Sequence, residues 1–203
     1  ERHMGHPEVY QLQVLSAITK EQLCLIPAMK RPASTAAILG IAGGNGLQHA
    51  EAAEFGKIFG LDFNMSFLQS CRENLPHLKH SLALEAIDLK EETLRAAALL
   101  EGVDLLTANL LIEHIHLSGF ISLLAAMSRK PSIISCVIQM NETGGTVSAS
   151  GYEAAFASLS TAIEEADAGA LSLELRRIGY RCTHNQLYPL PNKKQLNRLD
   201  FRL

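Results

Sequence analysis

The fold is decided by the stretch Ala37-Ile38-Leu39-Gly40-Ile41-Ala42-Gly43-Gly44-Asn45-Gly46-Leu47. Its apolar first half ends abruptly in small residues, and a pattern typical of a helix follows over 46–58. This order predicts a buried strand over 36–42, a tight glycine turn and then a helix. Glycine lets the backbone approach a ligand closely, and the first turn of a helix has free N–H groups. The stretch therefore predicts a site for a nucleotide-like ligand that carries a carboxylate or a phosphate.

Beyond this stretch, segments with strand and helix patterns alternate along the chain. Further strands are predicted over 58–62, 82–87, 103–108 and 133–140, and helices over 66–74, 90–100 and 117–129. A long helical stretch over 152–178 then precedes two strands within 180–203, which form a terminal hairpin. Alternation of apolar strands with helices predicts an α/β three-layer sandwich around a doubly wound, mostly parallel sheet. The hairpin predicts that the last strand runs antiparallel to the others.

The chain has 203 residues, which suits one domain with a sizeable core. Residues 1–35 carry apolar side chains at helical spacing, and Pro32 ends this helical pattern. We interpret this segment as an N-terminal helical extension, which is either a packing helix or a lid over the ligand. Tyr10 is the best candidate for a contact between such a lid and the substrate. Residues 36–203 then form the α/β domain.

Composition argues against several classes of partner. The net charge is -3 and no run of lysine and arginine occurs, which disfavours nucleic acid. No apolar stretch reaches the roughly 18 residues of a membrane-spanning helix, and the first residues do not resemble a signal peptide. The four cysteines form no CxxC motif, which argues against an iron–sulfur cluster or a zinc site. These features predict a cytoplasmic protein with reduced thiols.

Polar side chains follow three of the predicted strands where each strand ends. Asp62 and Asp88 end the second and third strands, and Asn109 follows the fourth. Ligands of open parallel sheets bind beyond the carboxyl ends of the strands. The carboxylate of Asp62 can accept hydrogen bonds from a ribose diol, with Phe63 lying against a flat base. Asp88 can accept a hydrogen bond from the exocyclic amine of adenine.

Two common nucleotide motifs do not fit the glycine turn. The dinucleotide fingerprint G-x-G-x-x-G fails, because one register places His49 at the third glycine and the other places Ala42 at the second. A P-loop requires a lysine after its last glycine, and Leu47 follows Gly46 instead.

The chain resembles the class I, seven-stranded S-adenosylmethionine (SAM)-dependent methyltransferases. The first motif of that family is here Gly40-Ile41-Ala42-Gly43-Gly44-Asn45-Gly46, and the resemblance continues through 60–64, 84–89 and 103–115. Gly40 stands where an acidic residue is usual, and Ala42 replaces the first glycine. The resemblance covers about 36–203 and implies the strand order 3-2-1-4-5-7-6, with the last strand antiparallel.

The resemblance also implies the site residues and the cofactor, SAM, whose product is S-adenosylhomocysteine (SAH). The turn would hold the methionine part, the second and third strand ends the ribose and adenine, and the fourth strand end the sulfonium. The implied cofactor contacts are Gly40, Ala42, Gly43, Gly44, Asn45, Gly46, Asp62, Phe63, Asp88, Leu89, Asn109 and Leu110. Backbone groups or water must replace the usual acidic side chain, because Gly40 has none.

Methyl transfer from a sulfonium mainly requires that the acceptor be aligned and water excluded. A general base is needed only for weak or protonated nucleophiles. His114 is the candidate base, and Tyr10, Glu113, His114 and Tyr152 are the candidate substrate contacts. His114 and His116 lack the spacing of a helical zinc site, so no metal is expected.

The acceptor is the least defined part of the prediction. Some amino-group methyltransferases carry Pro-Pro-aromatic after the residue at the Asn109 position, whereas Leu110-Leu111-Ile112 follows here. This difference disfavours methylation of DNA or glutamine, and the size and charge favour a small molecule. The chain can be a monomer or a homodimer. A cofactor-binding module without activity stays an alternative, motivated by Gly40 and Ala42, and a NAD-dependent oxidoreductase is disfavoured.

Overall fold

The computed structural model describes residues 7–27, 30, 34–51, 55–141, 167–191 and 193–203. Its centre is one seven-stranded sheet with the order β3-β2-β1-β4-β5-β7-β6. The strands are β1 Thr35–Leu39, β2 Lys57–Asp62, β3 Leu82–Ala86, β4 Leu105–Asn109, β5 Ile133–Asn141, β6 Arg181–Pro189 and β7 Lys194–Arg202. Strands β1 to β5 are parallel, and β7 runs antiparallel to both β5 and β6. The predicted fold class and strand order are confirmed.

Helices lie on both faces of this sheet. They are α1 Pro7–Leu23, α2 Met65–Asn74, α3 Thr93–Leu99, α4 Ile112–Ala126 and α5 Ala168–Arg177, with short 3₁₀ helices at Leu47–His49 and Pro76–Leu78. Helix α4 begins at Ile112 rather than at 117, and α3 begins at Thr93 rather than at 90. Among the described residues, none of the helices combines the length and the apolar character needed to cross a membrane.

The helix predicted over 46–58 is wrong. The glycine turn leads into a single 3₁₀ turn, and Ala50 is already extended, with φ -85 and ψ 134. Exposed side chains of this turn also bond to α1: Gln48 Nε2 donates to Ser16 Oγ at 2.9 Å, and the His49 ring lies 3.1 Å from the same oxygen. Contacts with α1 thus override the local helical pattern, and the turn lacks the long helix dipole that the prediction used.

The helical stretch predicted over 152–178 is described only in part, as α5. Its N-cap is Asp167, whose carboxylate accepts the N–H groups of Gly169 and Ala170. Tyr152 lies outside the described residues, so its predicted contact with the substrate stays a prediction.

Two apolar layers sandwich the sheet. On one face, Leu23 of α1, Leu47 of the 3₁₀ turn and Leu68 of α2 pack over Ile38. On the other face, α3, α4 and α5 supply buried side chains such as Ala96, Phe120 and Leu171. Both faces are therefore covered, as expected for a doubly wound parallel sheet.

Helix α1 is packed directly on the sheet. Ile18 is fully buried against Val137 of β5 and Leu196 of β7. Thr19 and Gln22 are buried polar residues of the same helix. The prediction that residues 1–35 form a lid stays untested, but α1 is part of the core over its second half.

Candidate functional site

A cavity of about 490 Å³ lies at the carboxyl ends of the first four strands. It contains many of the predicted site residues: Gly40, Asp62, Phe63, Asp88, Leu89, Asn109, Leu110 and His114. It also contains residues that sequence reasoning missed, namely Phe67, Ile87, Lys90, Leu111 and Ile115. Phe63 precedes Asn64, the N-cap of α2, and Phe67 lies in the first turn of that helix, so helical spacing gave no signal for Phe67. The walls are mainly apolar, with two carboxylates at neighbouring strand ends.

Gly40 is the only residue of the predicted glycine motif in the cavity wall. Its φ is +66, a conformation that glycine adopts without the penalty of a side chain. A Cβ built on Gly40 would lie 3.1 Å from Leu111 Cδ1, so any side chain here would press against the opposite wall. The absence of the usual acidic residue therefore agrees with the local space.

The other glycines of the motif face away from the cavity or into open space. A Cβ on Gly44 would lie 2.6 Å from Leu75 Cδ1, and one on Gly46 would lie 2.3 Å from Thr19 Cβ. Gly43 meets only Asn74 Nδ2, at 4.0 Å. Two of the three glycines are thus required by close packing against α2 and α1. The predicted role of these three glycines in holding a cofactor stays a prediction, as does the role of Ala42 and Asn45.

Asp62 joins the end of β2 to the glycine turn. It is 8% exposed. Its Oδ2 accepts the N–H of Ala42 at 3.0 Å, and its Oδ1 accepts the N–H of Asn64 at 2.9 Å. An ionised carboxylate has about four acceptor positions. Two remain for the hydroxyl groups of a ligand in the cavity.

Asp88 and two aromatic residues form the outer part of the cavity. Asp88 Oδ1 accepts the N–H of Lys90 at 2.9 Å, which orients the carboxylate at the end of β3. Phe63 is 74% exposed and Phe67 is 47% exposed, although both are large apolar residues. Exposed aromatic rings beside a cavity are typical of a surface that a flat ligand covers.

Asn109 and Leu110 form the inner part of the cavity at the end of β4. The side chain of Asn109 makes two hydrogen bonds of 2.8 Å with the side chain of Gln22. Leu110 has a positive φ of 54, and its N–H donates to Val137 O at 2.8 Å. The ladder with β5 therefore extends to the N–H of Leu110, and the positive φ of Leu110 changes the direction of the chain after it.

The three remaining candidates occupy different environments. His114 is exposed and lines the cavity, and its role as a base or a substrate contact stays a prediction. Glu113 is buried outside the cavity wall, where its Oε1 accepts the N–H of Gln139 at 2.8 Å. Tyr10 is 45% exposed on α1 and does not line the cavity. The substrate roles of Glu113 and Tyr10 stay predictions.

Glu113 is expected to make stability depend on pH. Its Oε2 has no hydrogen-bond partner among the described residues, and burial raises the pKa of this carboxyl above 4.5. Because the folded state binds the proton more tightly than the unfolded state, this contribution to stability is present below pH 4.5 and is lost as pH rises through the raised pKa. Glu113→Gln keeps an acceptor for Gln139 but cannot ionise. Urea unfolding at several pH values should show wild type losing stability relative to the variant as pH rises; parallel curves would contradict this.

His116 interrupts α4 just after the cavity wall. Its backbone has φ 62 and ψ 153, which separates the turn containing His114 and Ile115 from the rest of the helix. This region of backbone space is occupied almost only by glycine, and strain there costs about 1–3 kcal/mol.

Replacing His116 by glycine is therefore expected to relieve backbone strain. The matched control is His116→Ala, which also removes the imidazole and its contacts but keeps the strain. We expect the glycine variant to have a free energy of unfolding about 1–3 kcal/mol higher than the alanine variant. Urea denaturation measures the difference, and equal stability of the two variants would show that the backbone at 116 is not strained.

No metal cluster is evident in the part of the chain that the structure describes. There, histidine, cysteine, aspartate and glutamate form no group of three or more that could hold an ion.

No family model matches the chain, and no curated protein matches it in sequence. Many solved structures share its fold. The chain is similar to magnesium protoporphyrin IX methyltransferase from Synechocystis PCC 6803 with bound SAH, with a TM-score of 0.67 and 11% identity, covering 96% of this chain and 84% of that one. It is also similar to a putative sarcosine dimethylglycine methyltransferase from Galdieria sulphuraria, with a TM-score of 0.66 and 12% identity, covering 94% and 85%.

A third similar structure is the N-methyltransferase NodS from Bradyrhizobium japonicum WM9, with a TM-score of 0.59 and 12% identity, covering 92% of this chain and 94% of that one. The chain therefore has the fold of the class I SAM-dependent methyltransferases, as its sequence motifs predict.

Proposed function

We propose that this protein is a SAM-dependent methyltransferase that transfers a methyl group to a small-molecule acceptor. The observation that carries the proposal is the cavity at the carboxyl ends of the first four strands, with Asp62 and Asp88 at consecutive strand ends. Open α/β sheets bind their ligands at this edge. Structures of the same fold from Synechocystis contain SAH or SAM.

The adenosine half of the cofactor fits the outer part of the cavity. The two free acceptor positions of Asp62 suit the vicinal hydroxyls of a ribose. Asp88 and the backbone of Leu89 would bind the polar edge of adenine. Phe63 and Phe67 would cover its flat faces, which accounts for their exposure.

The methionine half would extend from the ribose toward the glycine turn. Gly40 presents only backbone to it, and the turn over 42–46 would contribute further backbone groups. Asn109 and Leu110 would lie near the sulfonium. Because Gly40 has no carboxylate, backbone carbonyls or water would bind the ammonium group.

When bound, SAM supplies an activated methyl group on a positively charged sulfur. The protein has to hold the acceptor in line with this group and exclude water, which can contribute roughly 7–11 kcal/mol. Leu110, Leu111 and Ile115 supply an apolar wall for this purpose. His114 lies in the same wall, where its ring can accept a proton from an acceptor or hydrogen-bond to it.

Titration calorimetry with SAM, SAH and NAD tests the proposal directly. We expect the two sulfur nucleotides to bind and NAD not to bind. Binding of NAD alone would contradict the proposal.

Methyl transfer to a panel of small amines, alcohols, thiols and carboxylates then tests catalysis, and we expect His114→Ala to slow transfer without weakening SAH binding.

A second candidate function is a cofactor-binding module without catalytic activity. Gly40 and Ala42 favour it, because they depart from the usual first motif at two positions. SAM binding without transfer to any acceptor of the panel would support this module over the enzyme.

A further inference from the structure

Gln22 lies behind the candidate site and is buried completely. It belongs to α1, and its amide contacts two other elements of the fold. Its Nε2 donates to Asn109 Oδ1 and to Ser135 Oγ, at 2.8 Å each. Its Oε1 accepts from Asn109 Nδ2 at 2.8 Å. Both N–H groups of the Gln22 amide are therefore used, and the two amides form a closed pair.

The orientation of this pair is determined by side chains of the neighbouring strand β7. Asp200 is 2% exposed and accepts hydrogen bonds from Arg198 Nε at 3.0 Å and Arg198 Nη2 at 2.8 Å. An ionised carboxylate only accepts hydrogen bonds. The single hydroxyl proton of Ser135 is therefore donated to Asp200 Oδ1.

Because the Ser135 hydroxyl donates its hydrogen bond to Asp200, the Ser135 oxygen can only accept from Gln22. The Gln22 amide must then turn its nitrogen toward Ser135, and the carbonyl oxygen is left to face Asn109 Nδ2. This requirement decides the orientation of the Asn109 amide as well. The buried ion pair on β7 thus specifies, through two neutral side chains, the amide orientation at the end of β4.

We infer that Gln22 is a positioning residue for the candidate site, because it holds the Asn109 amide in one of its two possible orientations. Asn109 lines the cavity, and its closed pair with Gln22 uses one N–H and one lone pair. The second N–H of the Asn109 amide and the second lone pair of its oxygen therefore have fixed directions and are available to a ligand. The inference rests on the proposed function, since it concerns how the same cavity binds its cofactor.

The test is SAH affinity of the full chain, measured by calorimetry for wild type, Gln22→Ala, Asn109→Ala and the double variant. We expect Gln22→Ala to weaken SAH binding about three- to tenfold, the range for loss of one intramolecular hydrogen bond. If Gln22 acts only through Asn109, its replacement has no further effect in the Asn109→Ala background. Equal weakening in both backgrounds would overturn the inference.

Gln11→Ala is the matched control for a general loosening of α1. Gln11 Nε2 donates to Gln139 Oε1 at 3.3 Å, so the variant removes a different contact of the same helix and leaves Asn109, Ser135 and Arg198 untouched. We expect it to leave SAH affinity unchanged. If it weakens binding as much as Gln22→Ala does, packing of α1 explains the effect and the inference is wrong.

Ser135→Ala provides a second route if Gln22→Ala does not fold. It leaves the amide pair intact but removes the group that orients it. We expect a smaller loss of SAH affinity, and an unchanged affinity in this folded variant would overturn the orienting chain. Binding of SAH and SAM to the wild-type protein is measured first. If neither binds, the proposed function is wrong, and this inference fails with it.

Discussion

Asp62→Ala is expected to weaken SAH binding by more than about tenfold, because hydrogen bonds to a charged group contribute about 1.5–3 kcal/mol. The variant removes a cavity-lining carboxylate that uses two of its acceptor positions on the backbone of Ala42 and Asn64 and has two left for a ligand. Calorimetry measures the affinity, and circular dichroism establishes that the variant is folded. Unchanged affinity in a folded variant would contradict the site assignment.

The matched control for this prediction is Asp104→Ala. Asp104 is also a carboxylate that accepts a backbone N–H of the sheet, from Thr35 at 2.8 Å. It lies at the opposite edge, where β1 and β4 begin, so it cannot reach the cavity. We expect its loss to lower stability without changing SAH affinity, which separates binding from a general effect on folding.

Gly46→Ala is expected to lower the free energy of unfolding by about 2–5 kcal/mol. Gly46 has φ +93, where an alanine costs about 1–2 kcal/mol. The new methyl group would also lie 2.3 Å from Thr19 Cβ and 2.7 Å from Thr19 Cγ2, and such overpacking costs about 1–3 kcal/mol. Urea denaturation followed by circular dichroism measures the loss.

Gly43→Ala is the control within the same turn. Gly43 has an ordinary φ, and the nearest atom to its added Cβ is Asn74 Nδ2 at 4.0 Å. We expect a change in stability within about 0.5 kcal/mol, as for most surface substitutions. Comparable destabilisation by both variants would show that the turn needs glycine for a reason other than contact with α1.

Local patterns in the sequence were sufficient for the architecture. Buried strands that alternate with helices can bury both faces only as a covered parallel sheet, so the three-layer fold followed from apolar runs. The placement of Asp62 and Asp88 followed as well, because the carboxyl ends of parallel strands meet at one edge of the sheet. Gly40 lies beside them in the wall of the cavity.

The absence of a helix over 46–58 was not predictable, because the pattern there is locally helical and the contacts that override it come from α1. Ser16 precedes His49 by 33 positions, and no periodicity within the turn indicates that contact. The glycines of the turn over 42–46 were also open to two interpretations. They indicated a loop that binds a ligand, but Gly44 and Gly46 are required by packing against side chains that are distant in sequence.

The sequence by itself determined the covered parallel sheet and the carboxylates at two strand ends, because these depend on apolar periodicity and on which residues end each strand. The strand order came from the resemblance to the class I methyltransferases. Only the tertiary structure decided that Gln22 bonds to Asn109 and that Glu113 is buried beside Gln139. Those contacts join residues that are far apart in the chain, and they depend on which side chains the folded sheet brings within hydrogen-bonding distance.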